Sequence, residues 1–275
     1  MAVGKLTKPL LLIGCGKMGS AMLSGWLESG IAAAGIVVVE PTGAPAPFAD
    51  APNVDVVTSA GDLSANFDPE IIVLAVKPQQ MDDVAPACKR FAKGNTAFLS
   101  IAAGKNIAYF SSKLGENAAI VRAMPNTPAA IGQGITVCCS NKATSDAQRE
   151  LCRQLLAATG EAAVVEDEGL IDAVTALSGG GPAYVFLLIE CLAEAGVAAG
   201  LPRELSERLA LVTVAGSGQL ALSGDEPPAT LRQNVTSPGG TTLEALKVLM
   251  APDGLQPMMT QAIAAATARS RELAD

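Results

Sequence analysis

The stretch Leu10-Leu-Leu-Ile-Gly-Cys-Gly-Lys-Met-Gly19 constrains this fold more than any other. Residues 10–13 form a short apolar run of the kind that makes a buried strand, and Gly14, Gly16 and Gly19 follow at G-x-G-x-x-G spacing. Ala21, Met22, Trp26 and Leu27 then recur at helical spacing until Gly30 stops the helix. In such a turn the first glycine permits the tight bend. The second lets backbone approach a pyrophosphate, and the third lets the helix pack on the strand. The anion sits against the unpaired amides of the helix N-terminus. The bare glycine spacing arises by accident in glycine-rich chains. Here the strand before it and the helix after it are both present, as the motif requires.

The rest of the N-terminal portion repeats that alternation. Strands are expected at 36–39, 54–57, 71–76, 96–101, 119–124, 135–139 and 162–165, with helices running from 78 to about 91 and from 145 to 158. Residues 43–52, rich in Pro and Ala, read as a loop. Strands alternating with helices give an open, mostly parallel sheet. From Leu170 onward the pattern is helical only, over 170–200, 202–223, 241–249 and 255–273. The expected architecture is thus an α/β Rossmann-type N-terminal domain with a mostly parallel sheet, residues 1–165. An all-α C-terminal dimerisation domain, residues 166–275, follows it. Gly179-Gly180-Gly181-Pro182 is costly inside an ordinary helix, so something must approach the backbone closely there. Helices this apolar are marginal alone, and a homodimer through this half is expected.

Composition removes whole classes of chemistry. The chain contains no histidine, which excludes Ser-His-Asp and Cys-His systems, H-E-x-x-H metal sites and imidazole acid–base catalysis. Any reaction must run on a cofactor, on Lys, Tyr, Asp or Glu, or on the substrate's own proton. A formal net charge of −8 argues against nucleic acid or an anionic membrane as partner. No uninterrupted apolar run reaches membrane-spanning length, and the apolar run after Lys5 and Lys8 is too short for a signal peptide. A cytoplasmic protein is expected. The six cysteines, Cys15, Cys88, Cys138, Cys139, Cys152 and Cys191, show no metal-binding spacing and read as small buried hydrophobes. No metal is expected.

Several residues stand where chemistry is expected. Glu40 ends the second strand, 21 residues beyond Gly19. An acid at that offset accepts hydrogen bonds from the adenosine ribose hydroxyls and repels a 2′-phosphate, which favours NADH over NADPH. A solvated charge at a strand end is the other reading of Glu40. Ligands of open α/β sheets bind outside the carboxyl ends of the strands, so Lys77, Ala102 and the turn at 124–128 are cleft candidates. Lys77 fits solvated surface equally well. In the helical half, Val235-Thr-Ser-Pro-Gly-Gly-Thr-Thr242 leads into a helix, and its glycines and hydroxyls suit either a carboxylate seat or a simple Ser/Thr cap.

These residues carry a resemblance. The chain is similar to the pyrroline-5-carboxylate reductases along nearly its whole length. The cofactor turn Gly14-Cys15-Gly16-Lys17-Met18-Gly19, the motifs Ala75-Val-Lys77-Pro78-Gln79 and Arg122-Ala-Met-Pro-Asn-Thr-Pro128, and above all Asp172-Ala-Val-Thr-Ala-Leu-Ser-Gly-Gly-Gly-Pro-Ala-Tyr184 and Thr236-Ser-Pro-Gly-Gly-Thr-Thr242 match that family. The resemblance implies NAD(P)H-dependent reduction of 1-pyrroline-5-carboxylate to L-proline at a dimer interface, with dimers often assembled into larger rings. It implies that Ser237, Gly240, Thr241 and Thr242 hold the substrate, with Thr242 facing the ring nitrogen, and that Glu168 lines the same site. Ala75, Lys77, Pro78 and Ala102 would flank the nicotinamide half of the cofactor, and Asn234 matches a further cofactor contact. One departure stands out: Gly180 occupies the position of the family's second serine in Ser-Gly-Ser-Gly-Pro. The mechanism suits a chain without histidine, because a cyclic imine protonated at nitrogen is already an electrophile.

Two rival readings are weaker. The first is a related two-domain reductase acting on a β-hydroxy acid or another imine; the hydroxy-acid enzymes use a lysine–asparagine pair on the first interdomain helix, and residues 173–189 contain no lysine. A non-catalytic dinucleotide sensor would not need the carboxylate-binding turn.

Overall fold

The computed structural model describes residues 5–43, 45, 48–93 and 95–274. Eight strands form one sheet in the order β3-β2-β1-β4-β5-β6-β7-β8. They are β1 (Leu10–Ile13), β2 (Ile36–Val39), β3 (Val54–Val57), β4 (Ile71–Leu74), β5 (Ala97–Ser100), β6 (Ala119–Met124), β7 (Gly134–Ser140) and β8 (Gly160–Val164). Every pairing is parallel except β6 with β7, where Arg122 lies opposite Cys139. The reversal follows from the connection: residues 125–133, with a 3-10 helix at Thr127–Ile131, join β6 to β7, whereas a parallel return needs a crossover of a dozen or more residues. Strand order reverses direction at β1/β4, the switch point that opens a crevice at the carboxyl edge.

The helices α1 (Lys17–Ser29), α2 (Met81–Ala87), α3 (Ile107–Leu114) and α4 (Asp146–Ala157) cover the sheet. Alternation along the strands divides the core between its two faces. Leu10, Leu12, Val73 and Leu99 pack with Trp26 on one side, while Leu11, Ile13, Ile72 and Phe98 pack with Phe110 on the other. The single tryptophan is wholly buried, and its indole N–H donates to the Leu155 carbonyl at 2.9 Å, which joins α1 to α4. Helix α3 is absent from the sequence expectation. Its eight residues give too short a period to see, although Asn106 caps it by accepting the Tyr109 N–H. Of the expected 43–52 loop, residues 44, 46 and 47 lie outside the described residues, and Phe48–Asp50 form a 3-10 turn.

The helical part comprises α5 (Leu170–Val174), α6 (Gly181–Ala198), α7 (Arg203–Ser223), α8 (Pro228–Asn234), α9 (Thr241–Leu249) and α10 (Leu255–Ala274). The single helix expected over 170–200 is interrupted: a π-helical turn, Thr175–Gly179, separates α5 from α6. Pro182 has no N–H to return to the preceding turn, and three glycines set little against a change of helical pitch. Helix α8, seven residues beginning at Pro228, also escaped the sequence reading.

By contacts the chain divides into two units, Met1–Gly179 with Ala266–Asp275, and Gly180–Ala265. This differs from a division at 165/166. Helix α5 belongs with the sheet because Ile171, 1% exposed, packs with Val137 and Cys139, and the end of α10 returns to the same unit through Ser270, whose hydroxyl donates to Asp172 at 2.7 Å. In the other unit, α6 and α7 form a hairpin in which Ser206 donates to the Ala193 carbonyl at 2.6 Å. By length and composition the run Leu170–Ala198, mean hydropathy 1.5, is sufficient to cross a membrane. Glu190 and Glu194 interrupt it, so it is not an uninterrupted apolar run.

Candidate active site

The glycine turn has the geometry its spacing predicts. Gly14 sits at φ +92°, and its N–H donates to the Val39 carbonyl at 2.9 Å, joining the turn to β2. A Cβ on Gly19 would strike the Gly14 carbonyl, and that contact brings α1 close to β1. Gly16 is exposed, and a Cβ there would meet nothing within 4 Å. It caps α1 without a side-chain hydrogen bond, and no acid stands in the first turn. The leading amides, including those of Lys17 and Met18, therefore project from a helix whose own first turn carries no acid. These residues fit a pyrophosphate.

Glu40 folds back onto this turn. Its Oε2 accepts the Cys15 N–H at 2.8 Å and its Oε1 accepts the Thr42 hydroxyl at 3.0 Å. The acid is thus held at the carboxyl end of β2. Burial raises the Cys15 thiol above its ordinary pKa and the nearby Glu40 charge adds to this, against a hydrogen bond from Ser20. At neutral pH the thiol is protonated, and Cys15 contributes backbone, not a nucleophile.

Across the switch point, the Ala75 N–H donates to the Ile13 carbonyl at 2.8 Å, and the methyl of Ala75 lies 3.6 Å from where a Gly19 Cβ would stand. Lys77 and Pro78 continue this edge, Lys77 with its side chain exposed. Ala102, 4% exposed, follows β5, its N–H donating to the Ser100 hydroxyl at 3.2 Å. Gly14, Gly16, Gly19, Glu40, Ala75, Lys77, Pro78 and Ala102 therefore gather along one carboxyl edge. The turn after β6 belongs to it too: Asn126 accepts the Ile135 N–H at 3.0 Å and donates to the Ser178 hydroxyl at 3.3 Å, so it holds the π turn.

Glu168 lies beside this edge in a cluster that the sequence did not disclose. Its Oε1 accepts both Arg122 Nη1 at 2.9 Å and the Ile107 N–H at 2.8 Å. Arg122 also stands 3.9 Å from Asp172, and its side chain is only 4% exposed. The signal was present, since an arginine in the middle of an apolar strand needs partners to be buried. Those partners are 46 and 50 residues away.

The remaining expected residues belong to the helical unit. The Gly240 N–H donates to the Ser237 carbonyl at 3.0 Å, with Pro238 and Gly239 (φ +70°) at the two central positions, a type II turn in which proline and glycine each occupy the position they favour. Gly240 then caps α9 without a side-chain bond. The amides of Thr241 and Thr242, at the first two helical positions, have no intrahelical acceptor, and both side chains are exposed. With the hydroxyls of Ser237 and Thr242, this helix start presents several hydrogen-bond donors close together. Asn234, at the end of α8, donates to Glu226 at 3.3 Å.

Four of the other cysteines are buried, as expected, and Cys191 on α6 is exposed. Burial pushes the Cys88 and Cys139 thiols up to about 12 and Cys138 to about 11.

Known proteins share this arrangement. The family profile described as pyrroline-5-carboxylate reductase dimerisation matches residues 168–273, and that of an F420-dependent NADP oxidoreductase matches 10–104. The pyrroline-5-carboxylate reductase of Pseudomonas aeruginosa is 42% identical over 270 residues, covering 98% of each chain. That of Synechocystis is 39% identical over 95% of this chain and 97% of its own. Among solved structures, the Coxiella burnetii pyrroline-5-carboxylate reductase superposes with a TM-score of 0.89 at 33% identity, covering 98% of this chain and all of its own. The Plasmodium falciparum enzyme, solved with NADP bound, gives 0.81 at 32% identity over 99% of this chain and all of its own. With its fold, its cofactor turn and its full length matched in this way, the chain belongs to the pyrroline-5-carboxylate reductase family.

Proposed function

We propose that this chain reduces 1-pyrroline-5-carboxylate to L-proline with NADH or NADPH. The observation that carries the reading is the type II turn at 237–240 running into the uncapped start of α9, a seat for a small carboxylate in a chain whose other unit presents a dinucleotide turn. The bound nicotinamide supplies the hydride. The protein's part is to hold and orient. The Thr241 and Thr242 amides and the Ser237 hydroxyl hold the substrate carboxylate, with Gly240 allowing close approach. The Thr242 hydroxyl hydrogen-bonds the ring nitrogen without serving as an acid, since its pKa is far too high. Glu168 borders the substrate.

On the cofactor side, residues 14–19 hold the pyrophosphate, Ala75, Lys77, Pro78 and Ala102 flank the nicotinamide, and Asn234 is a further cofactor contact. Glu40 favours NADH. In this functional division residues 1–165 serve the dinucleotide and 166–275 serve substrate and assembly. The apolar helical faces support a homodimer, assembled further into a ring of dimers, and the net charge of −8 supports a cytoplasmic enzyme without nucleic-acid or membrane partners. Oxidation of NADH and NADPH, measured separately with 1-pyrroline-5-carboxylate, tests the reading. Protein that binds dinucleotide yet turns over neither would show that the substrate is wrong.

A further inference from the structure

The motif beginning at Arg122 has no part in the chemistry above, yet its guanidinium is among the most deeply buried charges described. Arg122 stands on β6 directly beside Ser100 of β5, and its two ends face two carboxylates, Glu168 at 2.9 Å and Asp172 at 3.9 Å. Each carboxylate has a second partner on another element. Glu168 accepts the Ile107 N–H at the start of α3, and Asp172 accepts the Ser270 hydroxyl from the last turns of α10.

All four elements converge on one short segment, residues 102–107. Its beginning is fixed by the Ala102 N–H on the Ser100 hydroxyl. Its middle is Gly104, at φ +72°, where a Cβ would stand 2.9 Å from the Leu273 carbonyl of α10. Its end is Ile107, held by Glu168. The segment leaves the carboxyl end of β5, on the far side of the switch point from β2, where the second half of a dinucleotide lies in a sheet of this order.

We propose that Arg122 is a positioning residue for the nicotinamide half-site, acting through Glu168 and Asp172 on the 102–107 segment. The proposal rests on the reading that this segment borders the dinucleotide. Without the guanidinium, two partly buried carboxylates of like charge face one another. Glu168 then turns away from Ile107, the start of α3 loses its acceptor, and Asp172 pulls on its link to α10. The segment between loosens, and a shift of roughly 1 Å in a reacting ring is enough to cost catalysis.

The test uses full-length Arg122→Met, Arg122→Lys and Ser270→Ala, with the dissociation constant of NADH or NADPH measured by fluorescence titration without substrate. A direct effect of Glu168 on the substrate would not move that quantity. Arg122→Met is expected to weaken dinucleotide binding about tenfold, the factor for one lost charge-assisted hydrogen bond. Arg122→Lys should recover part of the loss, and Ser270→Ala should show a smaller weakening. An unchanged dissociation constant in Arg122→Met, with only the melting temperature or the KM for the imino acid altered, overturns the proposal. Should Arg122→Met fail to fold, Ser270→Ala decides, and wild-type affinity there overturns it. Wild-type protein that binds dinucleotide but reduces no pyrroline-5-carboxylate would instead sink the assigned reaction, and the binding comparison would still stand.

Discussion

The Glu40 carboxylate accepts the backbone N–H of Cys15 at 2.8 Å, so the acid that ends β2 is tied to the glycine turn that begins α1. A residue held this way has little freedom to swing aside for a larger cofactor. A 2′-phosphate brought near it meets a fixed like charge, and repulsion between partly solvated charges a few ångströms apart is on the order of 1–3 kcal/mol. We therefore expect Glu40→Ala to move the ratio of kcat/KM for NADH over NADPH toward NADPH by about tenfold, corresponding to ~1.4 kcal/mol. Steady-state kinetics with each cofactor check this. A wild-type preference for NADPH that the substitution leaves alone would remove Glu40 from the specificity determinants.

Thr242 supplies both an amide at the start of α9 and an exposed hydroxyl. Thr242→Ala keeps the amide and deletes the hydroxyl, which separates the two contributions. The expected outcome is a 10- to 100-fold fall in kcat/KM for pyrroline-5-carboxylate, about 1.4–2.8 kcal/mol of transition-state stabilisation. Dinucleotide affinity should be unchanged, and Thr242→Ser should restore most of the rate. Normal turnover in Thr242→Ala would place the ring nitrogen elsewhere.

The parts of this molecule legible in its sequence are those encoded by local pattern. Residues 10–19 specify strand, turn and helix because each glycine has a backbone reason to be there, and the 241–249 helix follows from its glycine lead-in. Helices α3 and α8 were missed because eight and seven residues span about two turns. The antiparallel pairing of β6 and β7 depends on how short the turn between them is, which hydrophobic pattern does not encode. Arg122 is the clearest case. Its position on β6 is evident from the sequence, but its partners, Glu168 just before α5 and Asp172 on it, join α3 and α10, so its role exists only once the chain has folded. Likewise Glu40 was legible as a charge at a strand end, and its bond to Cys15 was not.

Buried thiols make a prediction about alkaline pH. Cys88 and Cys139 have pKa values raised to about 12 and Cys138 to about 11, in each case chiefly by burial. In the unfolded chain these thiols ionise near 8.5. Between about pH 9 and the folded values the unfolded state has lost protons that the folded state retains, so stability falls as pH rises, by up to about 1.4 kcal/mol per pH unit for each thiol. Below about pH 8 both states are protonated and the thiols contribute no slope. Urea midpoints at pH 8, 9.5 and 10.5 should decline, and less steeply for Cys88→Ala than for wild type. Equal slopes would show that other groups govern alkaline unfolding. Iodoacetamide on native protein at pH 8 should label Cys191 in preference to these three, unless assembly covers it.

Helix α6 leaves large apolar side chains exposed in a lone chain. Phe186, Leu187 and Leu188 are 58%, 57% and 44% exposed, and on α7 Leu220 and Leu222 are 60% and 69% exposed. A helix apolar all round belongs in an interior, and contiguous exposed apolar surface of this kind marks an interface. The family profile that matches 168–273 is one of dimerisation, and a second copy of the same helices is the partner whose chemistry fits. Sedimentation velocity on wild-type protein should therefore show a dimer or a multiple of it, with no monomer at micromolar concentration. Phe186→Glu with Leu220→Glu introduces two charges into that surface and should shift the population to monomer, at a cost of several kcal/mol for burying unpaired carboxylates. Activity should fall with the dimer if the start of α9, in the family profile's dimerisation region, holds the substrate as proposed. Dinucleotide binding at the 14–19 turn should persist in the monomer. A variant that stays dimeric would show that assembly does not depend on this face, and a monomer that keeps full turnover would show that the site does not depend on assembly.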